Sequence, residues 1–551
     1  MPRVVRGPQR PVPADAGRGD RRRVRRPRTS RREPQPRRRV DPRVAVDAPA
    51  LAPGQDAGRA VTRREPLTAH RVAGLVLRPD PARVVSRLFL PGQELGGNGE
   101  SRSAGVVSRI LALPDDVAAE TLARTVTQFT PRHHDLEKTW NDHFGLVRHR
   151  LPQPHEPSAA HDTLIGAYFT QEFAIEGAAL CNPSLVLDPD QTGLQAGTTR
   201  YVMSVRAIGE GHLSSIEWRE VLVEATGEVT VTSVDARGVL ADVAPMPYSR
   251  EVFRHQLEDP SEDGSDCAFV LSQLPAAFTR ADLDLALSRL HDQRLTRGPA
   301  AHTAERFDAV AASCYAVEFP RGSRLGERVL MPRGPREHQG MEDLRLVRMV
   351  QDGAVSHVGT YTAWDGHRVA SHLLRTTDFR TFEVHPLSGP GAHDKGLAVF
   401  PRRIDGRYVA LSRADRESNG ITTSADLVSW DRPRPLQTPH EPWEVVQLGN
   451  CGSPIETPSG WLTLTHGVGA MREYSIGALL LDLQDPTRII GRLRDPLLSP
   501  TAAERNGYVP NVVYSCGAAL HGETLLIPYG CSDQTVRLAT VDLALLLAAM
   551  T

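Results

Sequence analysis

The chain has 551 residues, 40% of them hydrophobic and 24% charged, with a formal net charge of −1. Such a length exceeds one simple core, so roughly two to four folding units are expected unless a repeat architecture absorbs several hundred residues as one. No apolar run approaches the ~18 residues of a membrane span, which argues against an integral membrane protein with helical spans.

The near-neutral total hides a split. Residues 1–40 contain 15 Arg, no Lys and three acids, whereas residues 41–551 hold 50 basic and 63 acidic side chains. An acidic body argues against nucleic acid as the partner of the folded part. The head, with its RRRVRRPRTSRREPQPRRR stretch, has frequent Pro and no apolar period, so residues 1–66 are expected to be disordered. They read as an unstructured extension or as translation upstream of the true start; a tail for nucleic acid or an anionic surface is the sharper alternative. No secretory apolar stretch follows, which favours a cytoplasmic protein. The six cysteines lack CxxC spacing, so neither a metal site nor a disulfide framework is expected, and buried thiols are the simpler reading.

Residues 67–180 open with strand-like runs at 71–79, 83–92 and 104–113. Helices are expected over 113–129, with Asp115 and Asp116 as N-cap candidates, then over 134–147 and 164–180. The Gly-rich stretch 96–105 lacks a following Gly-Lys-Ser/Thr and reads as a loop, not a phosphate cradle. From about 181 to 545 the pattern changes to short β runs separated by turn signals, among them RYVMSVRAI, SHVGTYTAW, RYVALSR, GWLTLTHG and TLLIPYG. An insertion at about 250–330 interrupts them, with a helix expected over 278–295. Weakly similar strand–turn–strand units recur near 352–382, 405–430 and 522–543, which implies radial stacking of β modules around a central pocket, an all-β propeller with flanking helices.

Seven segments in fixed order carry polar or Gly-rich residues at the end of an apolar strand: NPSLVLDP, MSVRAIGEGH, GMEDLRLV, DKGLAVFPRR, GNCGSPIETPSGWLTLTHG, GYVPNVVYSCG and YGCSDQTVRLA. Within this stretch GMEDLR, FPRRIDGRYVALSR, PIETPSGWLTLTHG, IGALLLDLQDPTRIIGR and GYVPNVVYSCGA followed by YGCSDQTVRLA, in this order, resemble glycoside hydrolase family 130, the β-mannoside phosphorylases and related β-mannosidases, over about residues 180–545. The resemblance implies a five-bladed β-propeller with an axial active site, cleavage of β-mannosidic linkages with inversion, manno-oligosaccharide or another β-mannoside as substrate, and helices that mediate self-association. It implies no cofactor beyond inorganic phosphate as co-substrate.

Residue by residue, the resemblance makes Asp343 in GMEDLR the general acid, working through a sugar hydroxyl as proton relay, although Leu344 stands where the family usually has proline. Arg206, Lys395 and His466 match phosphate-contacting positions. The fourth, usually lysine, is Gln447, a neutral amide that donates a hydrogen bond but no charge. Lys138 and Lys395 are the only lysines, so Lys395 stands out among arginines. Asn182, Arg345 and Asp533 match substrate-pocket positions, and Trp364, Trp443 and Tyr508 are candidates to stack on a sugar ring. Two chemistries stay open. A phosphorylase needs cations to hold its nucleophile, whereas an inverting hydrolase needs a second carboxylate to activate water, for which Glu210 and Glu456 are candidates. A silent carbohydrate-binding module is a third reading.

Overall fold

Alternate side chains of the strand Tyr408–Ser412 enter different cores. Tyr408 and Ala410 join one apolar cluster with Leu397 and Val399, while Val409 and Leu411 join another with Ala398 and Phe400. A strand apolar on both faces must be covered on both faces, and stacked sheets do this. The computed structural model describes residues 66–550 apart from 93–100, 153–157, 259–263, 295–299 and 352. The expectation for residues 1–65, and that for most of the Gly-rich stretch 96–105, lies outside the described residues.

The described fold is mostly β with helices. Five antiparallel modules follow one another. Module one comprises Ala179–Leu187, Thr199–Ile208, Ser214–Val223 and Val229–Val231. Gly340–Gln351, Ala354–Trp364, Val369–Thr376 and Thr381–Pro386 form module two. In module three the strands are Ala398–Val399, Tyr408–Ser412, Asn419–Ser424 and Arg434–Gln437. Module four pairs Gln447–Asn450 and Ile455–Thr457 with Gly460–Val468, then adds Tyr474–Leu481 and Ile489–Arg492. Module five runs Val513–Tyr514 and Ala519–His521, Thr524–Cys531 and Thr535–Asp542, and its outer strand is His70–Leu77 from the other end of the described chain.

Five buried apolar clusters lie between modules one and two, two and three, three and four, four and five, and five and one. The first strands also touch in sequence. Leu346 N–H donates to Ser184 Oγ at 3.2 Å, Asn450 Nδ2 donates to the Gly396 carbonyl at 2.6 Å, and Cys516 N–H donates to the Pro183 carbonyl at 2.8 Å. Each module is thus packed on both faces, and the last is packed on the first.

Helices flank the modules in two groups, and a short helix, Leu543–Ala549, follows module five. Arg102–Leu111, Asp115–Phe129, Leu136–Val147 and Ala159–Tyr168 precede module one, and Arg250–Leu257, Ser265–Gln273, Arg280–Arg294 and Ala300–Ala312 lie between modules one and two. Three expectations are corrected. The run 104–113 is helical, not extended: Val106, Val107, Ile110 and Leu111 share a helix face, and the Ser101 hydroxyl caps it by accepting from Ala104 N–H at 3.0 Å. Asp115 and Asp116 do not cap; they occupy the first turn after Pro114, where the helix dipole favours acids. Only the start of 164–180 is helical, because Thr170–Ala174 pairs with Val84–Leu88 as a two-stranded ribbon. All six cysteines are buried free thiols.

The second helical group anchors on module three. His255 Nε2 lies 3.2 Å from Asp426, and Val428 enters the helices' own apolar cluster. The segment before module one is anchored by buried charge. Arg83 donates to Glu217 at 2.5 Å and lies 3.3 Å from Glu176, which accepts from Arg219 at 2.5 Å. Burial, then the Glu217 charge, push Glu176 up to about 7. Removing one member of such a network strands the others: Arg83→Ala is expected to cost roughly 3–5 kcal/mol. The exposed Lys138–Asp142 pair supplies the contrast, with Lys138→Ala costing about 0.5 kcal/mol or less. Urea unfolding of both variants checks the difference, and a loss in Arg83→Ala no larger than in Lys138→Ala would contradict it.

Candidate active site

A cavity of about 870 Å³ is lined by residues from all five modules. The first strands of modules one and two are bulged where they reach it. Register slips between Cys181 and Ser184 and between Glu342 and Arg345, and the displaced Asn182 (φ 48°) and Asp343 (φ 57°) are left-handed. Asn and Asp tolerate this conformation better than other non-glycine residues, and the bulge turns their side chains out of the ladder. The two then meet: Asn182 Nδ2 donates to Asp343 Oδ1 at 2.6 Å.

Cations surround this pair. Arg206 Nη1 lies 3.6 Å from Asp343 Oδ1, and its Nη2 donates to Glu342 at 2.6 Å. Arg345 donates to the Asp343 carbonyl at 2.9 Å and to the Tyr514 hydroxyl at 2.7 Å. Burial pushes the Asp343 carboxyl up, but Arg206, Arg345 and Lys395, with the Asn182 hydrogen bond, outweigh it and hold the group below the ordinary aspartate range.

Asn450 ties three modules together. It accepts from Arg345 Nε at 3.3 Å, donates to the Gly396 carbonyl beside Lys395, and offers its own carbonyl to His466 Nδ1 at 3.1 Å. A carbonyl only accepts, so Nδ1 carries the proton and Nε2 presents a lone pair, with no protein partner among the described residues. Burial, then the Arg413 and Arg345 charges, hold His466 well below the usual histidine range, hence neutral.

Arg413 is the largest feature the sequence reasoning missed. It is 8% exposed and lines the cavity; Nη2 donates to the Arg416 carbonyl at 2.7 Å, and Nε has no partner among the described residues. No carboxylate there lies within ion-pair reach of it. Two glycines make its room: a Cβ on Gly449 would come within 2.4 Å of Arg413 Cδ and 2.5 Å of His466 Cε1, and one on Gly396 (φ 87°) within 3.1 Å of Arg413 Cβ. A buried, uncompensated guanidinium is costly alone and is suited to an anion.

The cavity brings together Asn182, Arg206, Asp343, Arg345, Lys395 and Gln447, along with His466, Asp533 and Trp364. Gln447 Nε2 donates to the Tyr474 hydroxyl at 3.1 Å. Four expected residues stand elsewhere. Tyr508 is 47% exposed and bonded through its hydroxyl to His212 Nδ1 at 2.8 Å, outside the cavity lining. Trp443 packs against Gly467 and Gly477 and donates to the Arg494 carbonyl. Glu456 is held by Arg402 at 2.7 Å, and Glu210 sits in an exposed turn; neither lines the cavity, which removes both as bases for water. Glu342 and Asp394 line it instead, bonded to Arg206 and Arg416.

Burial, opposed by Arg206 and helped by Asp343, pushes Asp533 up to about 6. A carboxyl raised in the folded state favours folding while protonated, so its contribution falls as pH rises from about 4 to about 6 and stays low above. Asp533→Asn is therefore expected to raise Tm by a few degrees at pH 8 relative to the parent, and by less at pH 5. Thermal unfolding at the two pH values checks this; an equal shift at both would contradict it.

A buried carboxylate beside clustered cations, in an open polar cavity, defines a group-transfer site able to pair acid chemistry with an anionic reactant. The glycoside hydrolase family 130 model, described as β-1,4-mannooligosaccharide phosphorylase, matches residues 320–551. A 1,2-β-oligomannan phosphorylase of Thermoanaerobacter sp. (strain X514) is 32% identical over 227 residues, 40% of this chain and 74% of that relative. A β-1,2-mannobiose phosphorylase of Listeria innocua is 36% identical over 206 residues, covering 36% of this chain and 56% of the relative. A solved structure of the Listeria innocua β-1,2-mannobiose phosphorylase with β-1,2-mannobiose aligns with 68% of this chain and 92% of its own, at 22% identity and a TM-score of 0.40. The chain belongs to glycoside hydrolase family 130.

Proposed function

We propose that this chain is an inverting β-mannoside phosphorylase that converts β-mannosides or manno-oligosaccharides and inorganic phosphate to mannose 1-phosphate. The observation that carries the reading is the buried Arg413, which has no carboxylate within ion-pair distance among the described residues and shares its cavity with Lys395, His466 and Asp343. Water needs a carboxylate base; phosphate arrives charged and needs cations. Arg413 supplies the positive charge that Gln447 lacks.

In this reading a phosphate oxygen attacks the anomeric carbon from the face opposite the glycosidic oxygen. The C1–O bond to the aglycone breaks, and the leaving oxygen takes the proton of Asp343, by relay through a sugar hydroxyl. The proton that hydrogenphosphate brings is formally the one the released sugar keeps, so Asp343 ends as it began. Lys395, Arg413, Arg206 and His466 hold the phosphate, with His466 accepting from a P–OH through Nε2. Asp343 is anionic in the empty site because cations hold it so; phosphate on those cations cancels their field and favours the protonated acid. Asn182, Arg345 and Asp533 hold the mannose.

The architecture we assign is a five-bladed β-propeller, one module per blade, with His70–Leu77 closing the fifth. Five inter-module cores and the packing of module five on module one support it. No helix among the described residues is long and apolar enough to cross a membrane. The function is tested by incubating the protein with β-1,2- and β-1,4-mannobiose, with and without inorganic phosphate. The reading requires cleavage only with phosphate; mannose released at the same rate without it would overturn it.

A further inference from the structure

The cavity holds more positive charge than the proposed phosphate site uses. Seven Arg or Lys and four Asp or Glu line it, inside a body whose residues 41–551 are net acidic. A bound phosphate dianion still leaves the lining one positive charge in excess with all four carboxylates ionised, and two once Asp343 is protonated; a neutral acceptor sugar would leave that excess unmatched.

The surplus has a place. In modules two, three and four, the hairpin joining the second and third strands carries an arginine into the cavity wall: Arg368, Arg416 and Arg472. The matching turn of module five carries Asp533, and that of module one Gly211 and His212. Arg416 is paired with Asp394, whereas Arg368 and Arg472 have no carboxylate within ion-pair distance among the described residues, although the Arg472 charge acts on Asp533. The turn of module four is also strained: Met471 (φ 57°) and Arg472 (φ 56°) are consecutive left-handed residues, where module one places Gly211 (φ 67°) at the first of the two positions. Left-handed non-glycine residues concentrate at functional sites. This one sets the Arg472 guanidinium 5.6 Å from the Tyr474 ring centre at the cavity wall.

We propose that the cavity takes, as acceptor, an anionic sugar carrying a carboxylate or a phosphate, held by Arg368 and Arg472. This rests on the phosphorylase reading. The test runs the reaction backwards, with mannose 1-phosphate as donor and glucuronate, glucose 6-phosphate, glucose or mannose as acceptor, in parent, R368A, R472A and the double variant. At least one anionic acceptor should exceed glucose in kcat/KM by roughly tenfold, the effect of about 1.4 kcal/mol. The anionic-to-neutral ratio should fall at least fivefold in the double variant. Glucuronate and glucose 6-phosphate distinguish carboxylate from phosphate. Neutral acceptors used as well as anionic ones, or a ratio unmoved by the substitutions, would overturn the proposal and leave the phosphorylase reading standing. Silence with every acceptor would remove the phosphorylase reading instead. In that event calorimetry with mannose 1-phosphate present decides the charge preference, and glucuronate binding no tighter than glucose overturns it.

Discussion

Asp343→Asn is expected to lower kcat for β-mannobiose phosphorolysis by roughly 10³-fold, the usual worth of a positioned general acid, with KM little changed. The amide fits the same space and its oxygen can still accept from Asn182, but the buried charge that Arg206, Arg345 and Lys395 face is lost, so Tm should fall by a few degrees while the fold is kept. The loss should depend on the leaving group. An aryl β-mannoside whose phenol departs without protonation should lose far less than mannobiose, because the acid matters only where the departing oxygen needs a proton. Steady-state kinetics on the two substrates check both statements. A variant within tenfold of the parent on mannobiose, or one that loses equally on both, would remove Asp343 from the acid role.

The second large effect concerns the nucleophile. Arg413→Met should raise KM for phosphate roughly 10- to 100-fold, as expected when a charge-assisted hydrogen bond worth about 1.5–3 kcal/mol is lost. Stability should move the other way. Without phosphate, the parent holds a buried guanidinium with no counter-charge, and methionine of similar length removes that cost, so the variant should unfold at the same or a higher temperature. Added phosphate should raise Tm in the parent and much less in the variant. Gln447→Lys is the complementary change and should lower KM for phosphate severalfold. Phosphate titrations of initial rate and of Tm check all three. An Arg413→Met variant with parental KM for phosphate would place the anion elsewhere.

Much of this site was legible in the sequence because it lies at strand ends in ordered motifs. Asp343, Lys395, His466 and Gln447 were each marked by a motif, and Lys395 also by being one of two lysines. Arg413 closes the motif FPRRIDGRYVALSR yet escaped, because arginine is everywhere in this chain and residue type alone carried no signal. Position did carry one: Arg206, Arg413 and His466 all lie at or next to the end of the second strand of their modules, after the short runs MSV, ALS and LTLT. Tyr508 and Trp443 show the converse. An aromatic in a loop can face a ligand or its own backbone, and only the path of the loop decides which. The strand His70–Leu77 was readable as a strand, but its pairing with Thr535–Asp542 joins the two ends of the described chain, and no local pattern encodes such a partner. Glu210 and Glu456 failed as candidate bases for the same reason: a carboxylate in a turn or at a sheet edge is placed by tertiary structure, and here Arg402 claims Glu456.

The most direct measurement of the central claim follows β-mannobiose and inorganic phosphate with the protein by proton and phosphorus NMR from the first minutes. The account predicts α-mannose 1-phosphate as the first new mannosyl species, formed in equal amount to the released sugar, with inversion at the anomeric carbon. Free mannose appearing in twice the amount of mannobiose consumed, with the phosphate signal unchanged, would contradict it.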